Sequence, residues 1–182
     1  MLWLIIIGVV GLAFAPAMSL RPSRRQQRVK GLRDTARESG VAVRLETSPL
    51  HDDGEALPAY RWRYPPQRPG PDFLLVRDAV ASQVLKPFLP GWRWRVEPLR
   101  PLPETALCQL ETLLEGLPGD AVVVESSAAC LTLWWDESSP LEAFADLDER
   151  MRRMRDELAG RPDYPGAHRS AQAPSIPPSA GG

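Results

Sequence analysis

The sequence predicts an α+β protein: an N-terminal transmembrane helix followed by a small, mostly antiparallel sheet with two or three packed helices. Three observations carry this. Residues 1–20 contain no charged side chain. Residues 60–64 and 92–96 alternate aromatic side chains with arginine, at the period of a strand. Leucines and methionines in 104–117 and 144–158 recur at the period of a helix, and nothing shows the regular βαβ spacing of a doubly wound sheet. The expected division is a transmembrane anchor at 1–20, a basic juxtamembrane helix at 21–40, a cytoplasmic α+β domain at 41–160 and a disordered tail at 161–182.

The anchor segment reads MLWLIIIGVVGLAFAPAMSL. As a helix it spans about 28 Å at 1.5 Å per residue, close to the ~30 Å hydrocarbon thickness of a bilayer. Trp3 falls where an interfacial aromatic sits. Ala15-Pro16-Ala17 also fits a signal-peptidase pattern, but no Lys or Arg precedes the apolar run. Instead Arg21, Arg24, Arg25, Arg28, Lys30, Arg33 and Arg37 follow it, against only Asp34 and Glu38. The positive-inside rule therefore gives an uncleaved, single-pass anchor in a bacterial-type inner membrane, with its N-terminus outside and residues 21 onward in the cytoplasm. Arg21, Arg24, Arg25, Arg28 and Lys30 form a basic stretch that orients the anchor. They also offer anionic headgroups about 1 kcal/mol per basic residue near the surface.

The order of the soluble elements follows from local signals. Residues 29–39 have helical composition and are expected to continue the anchor helix until Gly40. A strand at 41–46 and a polar loop at 47–57 precede the 60–64 strand. Residues 73–77 form a further strand, and Asp78 is placed to cap a short helix reaching Lys86. Leu107, Leu110, Leu113, Leu114 and Leu117 make one stripe of a helix that Gly116, Pro118 and Gly119 stop. Residues 121–125 and 131–135 form a hairpin around Ser126-Ser127, in which Trp134 and Trp135 point to opposite faces. Ser139-Pro140-Leu141-Glu142 reads as a capping box. The helix it starts would bury Phe144, Leu147, Met151, Met154 and Leu158 and end at Gly160.

An outward N-terminus, one anchor and then Arg21-Pro22-Ser23-Arg24-Arg25-Gln26-Gln27-Arg28-Val29-Lys30 resemble the small accessory subunit of the Sec preprotein translocase, the YajC family. The resemblance covers the first thirty residues or so. Gln26-Gln27-Arg28 is displaced by an inserted Ser-Arg-Arg, and the Gly-Asp and Thr-x-Gly-Gly pattern of that family has no counterpart around residues 40–47. What it implies is a partner among inner-membrane proteins, the Sec translocase being the named candidate.

Chemistry-bearing signals are few. His51 and His168 fall in loops, and Cys108 and Cys130 have neither CxxC nor metal-ligand spacing, so no cofactor or metal is expected and the thiols are expected to be reduced. Ser126-Ser127 lacks a nucleophile-elbow context, and no phosphate-binding glycine motif is present. Asp52, Asp53 and Glu55 read as a solvated acidic loop. The set with most to offer is Arg61, Arg63, Arg93 and Arg95. If their strands lie side by side they form one basic face for an anion or an acidic partner. The competing reading is a half-buried sheet with aromatics inward and solvated arginines outward. The expected function is a membrane-anchored, non-catalytic interaction domain, accessory to an inner-membrane complex such as the preprotein translocase. The alternative is a regulatory or nucleic-acid-binding module that uses the arginine face.

Overall fold

A computed structural model of the chain describes residues 23–50 and 56–163, together with Trp3. The remainder of the 1–20 anchor segment, the Asp52–Asp53–Glu55 cluster, both histidines and most of the expected tail lie outside the described residues. Among the described residues no helix is long and apolar enough to cross a membrane.

The fold is α+β, as read, and the sheet is antiparallel throughout. In chain order the elements are α1 (Arg24–Glu38), β1 (Ala42–Thr47), β2 (Ala56–Arg63), β3 (Phe73–Arg77), β4 (Lys86–Leu89), β5 (Trp92–Val96), α2 (Glu104–Glu115), β6 (Ala121–Ser126), β7 (Cys130–Trp135) and α3 (Phe144–Leu158). The seven strands lie in the order β1-β2-β7-β6-β3-β5-β4. All three helices pack on one face and share its core.

The alternation in β2 and β5 does what its period demands. Tyr60, Trp62, Trp92 and Trp94 are buried beneath the helices, with Phe73, Leu75, Leu131, Leu133 and Trp135 from the strands between them. Tyr60 meets Trp135 edge-on at 5.4 Å, and the Trp62 indole N–H donates to Asp148 Oδ1 at 2.7 Å. α2 closes this core with Ala106, Leu110, Leu113 and Leu114. α3 buries the five residues read from its sequence. At roughly 25 cal/mol per Å² of apolar surface, this face is the main source of stability. Trp134 and Trp135 do separate: Trp135 joins the helical core, while Trp134 sits with Ala59, Leu74, Val76 and Val123 in a small cluster on the other face.

Three local expectations are corrected. α1 does not run on from residue 22, because Ser23 is extended (φ −62°, ψ 158°) and forms a complete capping box with Gln26. The Ser139 cap does not form. Pro140 is extended, residues Leu141–Ala143 make a single 3-10 turn, and α3 begins at Phe144, where that ring enters the core against Tyr60. Residues 78–85 are turns rather than a helix, since the Asp78 carboxylate is taken by Arg93 at 2.8 Å instead of capping backbone N–H groups.

Candidate interaction surface

β2 and β5 are not neighbours. β7, β6 and β3 lie between them, which separates Arg61 and Arg63 from Arg93 and Arg95 by about 19 Å at roughly 4.8 Å per strand. The four arginines share the helix-free face but form no single patch. Arg61 is held bidentately by Glu46, at 2.8 and 2.5 Å. This holds the Glu46 carboxyl below its ordinary value and the Arg61 guanidinium above its own. Arg93 is bound to Asp78 and to backbone and side-chain oxygens at Gln83 and Leu85. Arg63 and Arg95 have no ion-pair partner among the described residues. The aromatics behind them are covered by helices and cannot stack on a base.

The basic stretch after the anchor divides in a way that the sequence did not disclose. Arg25 donates from one terminal nitrogen to both carboxylate oxygens of Asp136, at 3.0 and 2.9 Å, and Arg28 donates to the Glu137 carbonyl at 3.4 Å. Arg24 and Lys30 remain exposed, and Arg21 lies outside the described residues. Arg33 reaches Glu137 from α1 through Nε at 2.7 Å and a terminal nitrogen at 2.6 Å, and the Tyr60 hydroxyl donates to the same carboxylate at 2.7 Å. Glu137 is 3% exposed and takes a left-handed backbone (φ 56°) just beyond β7, a conformation uncommon for a residue with a side chain. The hydrogen bonds from Arg33 to Glu137 raise the Arg33 guanidinium above its ordinary value. Burial, then the Glu137 hydrogen bond, pushes the Tyr60 phenol far up, so it stays a neutral donor. Beneath these ties Leu32 and Ala36 enter the core. α1 is thus part of the domain and not a free linker.

Between α1 and the β1–β2 edge runs an open groove of about 580 Å³. Val29, Leu45 and Pro58 supply apolar walls, and Lys30, Arg33 and Arg37 line the helix side. The arginines of α3 are engaged in their own neighbourhood: Arg150 with Asp146, Arg152 with Asp148, Arg153 with Glu149 and Arg155 with Asp156. Among the described residues no cluster of ligating side chains is arranged to hold a metal ion. Cys108 and Cys130 are both free, on opposite sides of the sheet. Only the adjacency of Asp136-Glu137 to a buried strand end hinted at the Glu137 site, since its partners lie 104 and 77 positions away in sequence. Comparison with protein-family models, with curated proteins and with solved structures gives no match to this chain.

Proposed function

We propose that the chain is a non-catalytic interaction domain tethered to a membrane, with the α1 groove and the adjoining β1 edge as its docking surface. The observation that carries this reading is the incorporation of α1 into the domain through Leu32, Ala36 and the Arg33–Glu137–Tyr60 tie. From Leu20, the end of the apolar run, to Ser23 an extended chain spans at most about 11 Å. A domain whose first helix is capped at Ser23 is therefore held against the bilayer surface, with Arg24 and Lys30 free for anionic headgroups. A partner in the same membrane, the preprotein translocase among the candidates, then meets the groove at high local concentration.

The test is in-cell crosslinking and fractionation of the full-length, C-terminally tagged chain beside the same chain lacking residues 1–20. The reading expects the full-length form in the membrane fraction and its partners to be lost with the segment. A full-length chain recovered in the soluble fraction would overturn it.

A further inference from the structure

The two edges of the sheet are built differently. β4 is four residues long, carries Lys86 and Pro87, and has a register shift between Pro87 and Leu89. These are the devices that keep an edge from recruiting another strand. β1 is six residues long, has no proline, glycine or lysine, and keeps an unbroken register with β2 from Ala42 to Thr47.

Pro58 fixes which peptide groups of β1 look outward. It stands opposite Leu45 and has no N–H to exchange, so Leu45–Pro58 is a non-hydrogen-bonded pair. Parity along β2 agrees: Tyr64, an even number of residues beyond Pro58, sends its N–H away from β1 to the Ala129 carbonyl at 2.9 Å. The N–H and C=O groups of Val43, Leu45 and Thr47 therefore point out of the sheet. None of them bonds to another backbone group among the described residues.

A two-fold axis normal to the sheet and midway between the Leu45 residues of two copies makes this edge complementary to itself. Val43 then pairs with Thr47 of the other copy and Leu45 with its own equivalent, each pair exchanging both backbone bonds. On the helix-free face Arg44 comes opposite the other copy's Glu46. On the helical face the 60%-exposed Leu45 side chains meet, continuing the apolar wall of one groove into the other. In the isolated chain Arg44 is only loosely engaged, 3.9 Å from Glu46.

We propose that the docking surface is occupied by a second copy of this chain, joined antiparallel through β1 about Leu45 into one continuous sheet. The proposal names the partner for the surface assigned above. Strand pairing alone buries little area, so confinement to a membrane supplies the effective concentration that the contact needs.

The test uses full-length chain in cell membranes, with Cys108 and Cys130 replaced by serine. A hydrogen-bonded pair holds its Cα atoms about 5.5 Å apart, within the roughly 4.4–6.8 Å that a disulfide spans. Under mild oxidation Leu45→Cys should give a covalent dimer about ten-fold more readily than Val84→Cys, an exposed collision control. Val43→Cys and Thr47→Cys, co-expressed with different tags, should crosslink to each other, and Arg44→Cys should not crosslink to itself. Leu45→Cys that dimerises no better than the control, or that couples to a different protein, overturns the proposal even if the chain stays in the membrane fraction. A Leu45→Cys dimer in chain that fractionates as soluble sustains self-pairing and overturns the membrane tether instead. The absence of the Val43–Thr47 crosslink overturns the register.

Discussion

The same strands build both faces of the sheet, and the two faces hold together by different means. On the helical side, alternate residues of β2, β7, β3 and β5 present rings and leucines to three helices, and the polar tips of β2 are tied at once, Trp62 to Asp148 and Tyr60 to Glu137. On the other side the intervening residues include arginines answered by carboxylates, around a small cluster at Trp134 whose indole N–H donates to Glu125 at 3.1 Å. Burial dominates the first face, and screened charge pairs frame the second. A pleat of period two lets one stretch such as Tyr60-Arg61-Trp62-Arg63 serve both at once.

The sharpest way to break the comparison is to remove a ring from the helical face. Phe144→Ala is expected to cost about 3–5 kcal/mol, because the void beneath α3 cannot collapse against Tyr60. Denaturant unfolding measures it, and a loss under about 1 kcal/mol would mean that α3 is not seated as described. Glu137→Gln comes next, at about 2–3 kcal/mol. That is below the range for a fully buried ion pair, since Arg33 keeps about 31% of its side-chain surface in water. Its hydrogen exchange should rise first in α1, which would loosen ahead of the sheet.

On the helix-free face, Arg61→Ala is expected to cost only about 0.5–1 kcal/mol. Because Arg61 lowers the Glu46 value, the pair stabilises fully above the ordinary glutamate range, and its contribution is lost as pH falls through the lowered folded-state value. Acid titrations of stability should therefore be flatter in Arg61→Ala than in the native chain. The smallest effect has the opposite sign. Burial, then the nearby Asp163 carboxylate, raises Asp72, so its charged form opposes folding at neutral pH. Asp72→Asn is expected to stabilise by up to about 0.5 kcal/mol near pH 7. That gain should shrink as pH falls through the raised Asp72 value.

What was legible in the sequence follows the same division. The inward rings of β2 and β5, the buried stripe of α3 and the opposed tryptophans are periodic signals, and periodicity survives translation into a fold. Strand order is not periodic. Nothing within residues 60–96 tells that three strands intervene between the two arginine pairs, and so the single basic face was a local inference that a non-local topology undid. The two capping signals show the limit at shorter range. Ser139-Pro140-Leu141-Glu142 fits the pattern but lost to the core's demand for Phe144, whereas Ser23-Arg24-Arg25-Gln26 fits it equally and forms the cap. The Arg33–Glu137–Tyr60 tie had no sequence signature, being assembled from three elements that are adjacent only in space.

The capping box at Ser23 has a consequence for how the chain carries rotation. In an unbroken helix, one inserted residue turns everything downstream by about 100°. An extended cap interrupts that phase, so the azimuth of whatever precedes Ser23 is not imposed on α1, and the groove takes its bearing from the domain. An extra residue ahead of Ser23 should leave the groove's lining in register, whereas one within α1 would swing Arg33 away from Glu137 and undo the seat of the helix.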